Sequence, residues 1–419
     1  ARCKLPHSLS LPRGKKTMKA GIGDRKMSSQ QRARDKSARA GNLPEQIFLW
    51  EILIRLPPKD LNRCRAVSRA WRRAVSARDF LLAHHRRQPS LPLINRRSII
   101  GEPRWSNIAA LDHRAAQATQ QIQPVARLDG SNVSVKASCD GLLILAEGGL
   151  RPTPLEARCS VCNPATRQIR HLSSQLKGHA VLGLYRHQPT SEYRLLLRRL
   201  CSPISMQVFE LDHHHMPPRR VECTREVLCY PLTSSAPLLL RGNLHWTWHT
   251  LPLPFGQTET NKTKTILVFD TTAESFRQMP SPPDVHAADL FDMDGVLGMY
   301  SWDNGDRSTV RIWVMQDYES QVWSPKCSVE CWKESLVPEI PLTQEQRNLV
   351  MAMYEEGDVR LLLASEGSLL CVDSQGKLLR SSRDDGHSLS ISKHFLKQSL
   401  VSYGFFPELR VGINAWPFI

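Results

Sequence analysis

A two-part phrase returns four times along this chain, and repetition at intervals of tens of residues commits a sequence to a repeat architecture. The phrase opens on a glycine turn leading into an apolar run. It closes on a later run that ends in a polar turn with an aromatic or apolar return. Cys139-Asp-Gly-Leu-Leu-Ile-Leu145 is followed by Val161-Cys-Asn-Pro-Ala-Thr-Arg-Gln-Ile169, and Arg241-Gly-Asn-Leu-His-Trp246 by Ile266-Leu-Val-Phe-Asp-Thr-Thr-Ala-Glu-Ser-Phe276. Met293-Asp-Gly-Val-Leu-Gly-Met-Tyr300 precedes the run from Val310 to Trp323, and a compressed form extends from Glu366 to Leu379.

Each part has a mechanical reason. Asp-Gly and Gly-Asn supply the positive φ of a tight hairpin, and the alternation beyond them sets one side chain in two against a neighbouring sheet. Asn163-Pro164-Ala165-Thr166, Asp270-Thr271-Thr272 and Asp317-Tyr318-Glu319 read as outer-hairpin turns, where an Asn or Asp side chain can bond its own backbone. Phe269, Phe276, Trp313 and Trp323 are sized to fill the space between sheets. Radial stacking of such sheets makes a β-propeller, and the 318 residues from 89 to 406, at about 45 per blade, give six or seven blades. His213–Arg220, read as an exposed loop, and Leu251–Lys264 depart from the phrase. Ring closure falls to Ser90-Leu-Pro-Leu-Ile94, expected to join the sheet holding Leu361–Ala364 and Ser368–Val372. Pro92 confines that strand to an edge or a bulge.

Ahead of the repeats the texture is helical. Eight of the eleven residues from Gln46 to Leu56 are apolar, between Leu43-Pro44 and Leu56-Pro57-Pro58. A helix that is apolar nearly all round must be covered on two sides, and the second cover is expected from another protein. Lys59 to Leu82 adds two short amphipathic helices, with Leu61 and Cys64 on the first. Ala70, Trp71, Ala74 and Val75 form a patch on the second, and Ser68 is placed to cap it. Pro57-Pro58 ends the greasy helix and opens the next. Such a unit of roughly 45 residues has a marginal core of its own and reads as a docking module.

These residues carry a family resemblance. The run from Leu43 through Leu56-Pro57-Pro58-Lys59-Asp60-Leu61, Val67 and Trp71-Arg72 to Phe80 resembles an F-box over its whole length. The resemblance implies binding to the Skp-type adaptor of a cullin–RING ubiquitin ligase. By position it implies Leu43, Pro44, Ile47, Ile52, Leu53, Leu56, Pro57, Leu61, Val67 and Trp71 as adaptor-binding residues, with Trp71 and Leu53 the ones most open to an internal core role. Cys139-Asp-Gly-Leu-Leu and Cys162-Asn-Pro-Ala-Thr-Arg167 resemble the F-box-associated domain of plant F-box proteins, which is similar to kelch-type propellers and here most like a grass-type member. Val268–Arg277, Ile312–Tyr318 and Leu396–Val401 extend that likeness. The expected fold class is thus an α+β multidomain chain: a basic disordered tail (1–41), a three-helix F-box (42–88), an all-β propeller (89–406) and a C-terminal tail (407–419). The expected function is target recognition for a Skp–cullin–F-box ligase, with an adaptor-bound scaffold lacking any degradation target as the alternative.

The formal charge of +16 resembles a nucleic-acid signal until it is located. Residues 1–41 hold 12 Lys/Arg and 2 Asp/Glu, residues 42–88 hold 10 and 4, and residues 89–419 hold 34 of each. The large domain is formally neutral, so nucleic acid is not an expected partner; the tail alone leaves open a nuclear-import or nucleic-acid contact. Translation is expected to begin at Met27 or Met18. No run reaches the roughly 18 apolar residues of a membrane span, and the eleven scattered cysteines read as reduced thiols of the cytoplasm or nucleus. Cys159-Ser-Val-Cys162, the pair Cys327 and Cys331, and His213–His215 with Cys223 are the metal candidates. Their spacing does not converge four ligands, so no metal or cofactor is expected. Hydrolase and phosphate-loop motifs are absent, which leaves His245 and the cluster Asp289, Asp292, Asp294 as catalytic candidates, more simply read as a packed strand histidine and turn carboxylates.

Overall fold

The recurring hairpins close into sheets because every apolar run has a partner one tight turn away. The computed structural model describes residues 45–98, 105–112, 122–129, 133–147, 158–172, 176–200, 205–213, 215–223, 236–247, 265–283, 285, 288–303, 309–331, 350–365, 368–384 and 387–407. The chain divides into two compact units, 1–52 and 53–419. The Pro58–Val67, Arg69–Val75 and Arg78–Arg87 helices belong to the same unit as the strands.

Six antiparallel four-stranded sheets form among the described residues. In chain order five of them are β4–β7 (Val133–Cys139, Leu142–Glu147, Arg158–Asn163, Gln168–His171), β8–β11 (His179–Arg186, Tyr193–Arg199, Met206–Glu210, Arg219–Val221) and β12–β15 (Leu238–Leu240, Asn243–Thr247, Thr265–Asp270, Ser275–Pro280), then β16–β19 (Ala288–Met293, Val296–Trp302, Thr309–Asp317, Val322–Glu330) and β20–β23 (Val350–Glu355, Asp358–Ser365, Ser368–Val372, Leu378–Arg383). The remaining sheet, counted as the first blade because β1 opens it, joins the two ends of the domain: β24 (His387–Lys397) pairs with β1 (Ser90–Ser98), which continues to β2 (Trp105–Leu111) and β3 (Ile122–Asp129).

That last sheet corrects the expected closure. Ser90–Ile94 does close the ring, but on β24, with Ser90 opposite Lys397 and Ser98 opposite His387. Leu361–Ala364 and Ser368–Val372 lie in the preceding blade. The predicted irregularity is present, since the register shifts between Pro92 and Ile94. Arg219 and Arg220, expected in a loop, instead pair with Val208 and Gln207 as the outer strand of the third blade.

The continuous apolar runs are explained by burial on both faces. In β5, Leu142, Ile144 and Ala146 join the core shared with β8–β10, while Leu143 and Leu145 join the core shared with β1–β3. In β14, Ile266 and Val268 face one neighbour and Leu267 and Phe269 the other. One apolar cluster fills each of the six gaps between successive blades, so the ring is sealed by side chains all the way round. At about 25 cal/mol per Å² of apolar surface buried, these seams are the main stabilising term of the domain.

The turns have the expected chemistry. The inner hairpins place Asp140-Gly141, Arg241-Gly242, Asp294-Gly295 and Glu356-Gly357 at positive φ. In the second of these Gly242 takes the second turn position and Asn243 begins the strand. In the last blade the equivalent turn is Glu356-Gly357, one hairpin earlier than expected, and Glu366-Gly367 lies outside the described residues. At the outer hairpins Asn163 Oδ1 accepts from Ala165 N at 3.1 Å and Asp270 Oδ1 from Thr272 N at 2.7 Å. Asp317 Oδ1 accepts from Glu319 N at 2.9 Å, and Asp373 Oδ1 from Gln375 N at 3.0 Å.

Candidate functional site

The greasy segment is not one regular helix. Glu45–Ile47 is α-helical, Phe48–Ile52 takes a π turn and Leu53–Arg55 a 3₁₀ turn. In the first unit Ile47, Trp50 and Ile52 are 46%, 42% and 41% exposed, which is unusual for large apolar side chains. In the second unit Leu53 and Leu61 are buried at 2% and 0%, Leu56 and Trp71 are half-buried, and Pro57 is exposed. Val67 is 66% exposed. Leu43 and Pro44 lie outside the described residues. Trp50 was absent from the residues assigned by position, and only the all-round apolar pattern of its segment signals it.

The helices that follow in the chain are built as their sequence requires. Pro58 occupies the first turn, and Ser68 Oγ accepts from Trp71 N at 3.1 Å to cap the next helix. His84 is fully buried, with Nε2 2.8 Å from the Leu56 carbonyl, and burial holds its pKa below the usual histidine value. A neutral ring there ties the Arg78–Arg87 helix to the turn that ends the greasy segment.

The same helix is bonded to the propeller. His85 Nδ1 lies 3.0 Å from the Gln398 carbonyl and His85 Nε2 3.5 Å from Asp140 Oδ1. The Tyr193 hydroxyl donates to Asp140 Oδ2 at 2.8 Å, and the Tyr403 hydroxyl donates to the Asp140 carbonyl at 3.1 Å. Although desolvation raises it, the His85 and Tyr193 bonds leave the Asp140 carboxyl below the usual carboxylate range. Beside it a Cβ on Gly141 would stand 2.6 Å from Ser399 Cβ and 2.9 Å from the Lys397 carbonyl, so the turn and the segment after β24 meet at glycine distance. Cys139-Asp-Gly is therefore both a hairpin turn and the seat of the helix. Tyr193, Tyr403 and Phe405 close this joint with ring centroids 5.1–6.4 Å apart.

The metal and catalytic candidates resolve into structure. Cys159 and Cys162, three apart on one strand, face opposite blades and cannot chelate together. His213 instead meets Glu192 and Glu210. Those carboxylates already hold the buried Arg194 at 3.0 and 3.1 Å, and Arg194 also bridges to Glu274 of the next blade at 2.9 Å. His245 is buried with Nε2 2.8 Å from the Tyr318 hydroxyl, and its pKa is pushed down to about 4, chiefly by desolvation. Asp292 accepts from Gly295 N in its own turn, and Asp289 is paired with Lys393. Both aspartates line a cavity of about 390 Å³ among the innermost strands of the ring.

Comparison with known proteins agrees with this architecture. The F-box associated beta propeller domain family matches residues 112–369, and the F-box-like family residues 40–87. The chain belongs to the F-box-associated β-propeller family and carries an F-box ahead of the propeller. Among its relatives in Arabidopsis thaliana, F-box protein CPR1 is 24% identical over 84% of this chain and 87% of its own length. F-box protein At5g49610 is 22% identical over 75% and 86%. F-box protein At1g33530 is 25% identical over 67% of this chain, which spans 61% of that relative. Of solved structures, AztD from Citrobacter koseri aligns with a TM-score of 0.36 at 9% identity, over 72% of this chain and 98% of that one. The β-propeller domain of the Trilobed protease from Pyrococcus furiosus gives 0.33 at 10%, over 68% and 80%. Likeness at that level says nothing about function.

Proposed function

We propose that this protein is the target-recognition subunit of a Skp–cullin–F-box ubiquitin ligase of the cytoplasm or nucleus. Its F-box docks on the Skp-type adaptor and its propeller holds the protein to be modified. The subunit itself performs no bond chemistry. It raises the local concentration of target lysines at the ligase's ubiquitin-charged enzyme. The observation that carries this reading is the exposure of Ile47, Trp50 and Ile52 within a sequence of the F-box family, where apolar surface of that size calls for a protein partner. The hydrogen bonds from His85 to Gln398 and Asp140 fix the Arg78–Arg87 helix to the propeller.

The test is capture of the adaptor by the full chain. Ile47→Asp combined with Ile52→Asp is expected to lower affinity at least about a hundredfold, since each buried isoleucine contributes roughly 1.5–3 kcal/mol and a buried unpaired carboxylate costs more. Both side chains are exposed in the free chain, so its melting temperature should not move. Unchanged adaptor affinity in that variant contradicts the proposal.

A further inference from the structure

We infer that the joint between the Arg78–Arg87 helix and the propeller is a binding site for a small polyanion bearing two or more phosphate or carboxylate groups. A cavity of about 340 Å³ opens there, bounded by the helix, the second and third blades and the segment after β24. Arg78 and Arg86 reach it from the helix, Arg186 from the end of β8 and Lys397 from the end of β24. Among the described residues none of these four cations makes a salt bridge, and their one side-chain hydrogen bond runs from Arg186 Nε to the Ser191 carbonyl at 3.4 Å. By contrast Arg194, in the seam with the next blade, is paired with three glutamates.

Two carboxylates share the cavity and offset two of its four positive charges, Asp140 lying in the field of Arg186. Asp140 is already engaged by His85 and Tyr193. Asp212 is exposed at the rim, where solvent screens it. The cavity thus keeps a surplus of positive charge in a concavity, where low-dielectric walls concentrate the field. Guanidinium forks match the paired oxygens of phosphate and carboxylate, and charge-assisted bonds of that kind are the strong ones. The size of the space and the four cations together point to a compact ligand with more than one anionic group. Such a ligand would touch the helix, a blade and the closing segment at once, and would stiffen the joint by binding only the docked arrangement. This site stands independently of the ligase reading.

Calorimetric titration of the full chain with pyrophosphate, and separately with citrate, tests the inference at ionic strength held constant with sodium chloride. Saturable one-to-one binding and a saturable rise in Tm are expected with at least one of them. The tighter of the two tells phosphate from carboxylate recognition. Arg86→Ala with Lys397→Ala should weaken binding by about tenfold or more per cation removed, while Arg86→Lys with Lys397→Arg retains most of it. Arg78→Ala, at an exposed helix start, supplies an independent variant with the same expectation. Binding that does not exceed the chloride control for either probe, or alanine variants that bind as the parent does, overturns the inference.

Discussion

Two glycines with the same backbone conformation separate strain from packing at the scale of single residues. Gly141 and Gly295 both sit at φ 85°, but a Cβ on Gly295 meets nothing within 4 Å, whereas one on Gly141 meets Ser399 and the Lys397 carbonyl below 3.0 Å. Gly295→Ala should therefore cost about 1 kcal/mol, the backbone term alone. Gly141→Ala should cost roughly 3 kcal/mol or more, because the atoms in its way are backbone and a short side chain. Denaturant unfolding of the two variants checks the difference. Buried histidines set the acid limb of stability. His245 and His394 have pKa values lowered from 6.5 to about 4, mainly by desolvation, so each is neutral when folded and takes up a proton on unfolding between those values. Stability should accordingly be full above about pH 6.5 and fall as the pH drops towards 4, by on the order of 1–2 kcal/mol per histidine at pH 5. His245→Gln should reduce the proton uptake on unfolding by about one, measured from the slope of stability against pH. A slope unchanged by that substitution would remove His245 from the account.

At the scale of elements the closing sheet is the decisive contact, because β24 supplies the innermost strand of a blade whose other three strands come from the start of the domain. A chain ending at residue 384 should lose its single cooperative melt, since Leu389, Ile391 and Leu396 leave the seams to both neighbouring blades. Circular dichroism melting decides it, and a cooperative transition of parental sharpness would contradict it. Three blades were legible in the sequence because a glycine at positive φ marks each inner hairpin and an Asn or Asp opens each outer one, while the β20–β23 blade was read one hairpin late, from Glu366-Gly367 instead of Glu356-Gly357. The third blade was hidden. Its inner turn uses Ser191 at φ 61° in place of glycine, and its outer strand is the three polar-to-apolar residues Arg219–Val221. The closing blade was also hidden, because its strands lie at opposite ends of the domain and no local period can pair them. Of the candidate docking residues, sequence pattern supplied the family motif and marked Leu53 as a core candidate, but not the burial that sets Leu61 apart from Ile47, Ile52 and Val67.

For the whole molecule, we propose that the propeller and the F-box act together to present a target for turnover. Six apolar seams hold the ring together, and Glu274 pairs with Arg194 across one of them. Its attachment to the F-box helices runs through Asp140, His85 and Gln398, all in one compact unit. The most direct measurement is proximity labelling under proteasome inhibition with the full chain and with its Ile47→Asp, Ile52→Asp variant, followed by half-life measurements on the labelled proteins once the inhibitor is removed. The account predicts at least one protein labelled equally by both chains whose half-life is short with the parent chain and lengthened with the variant. Labelled partners whose half-lives are the same with either chain would contradict it.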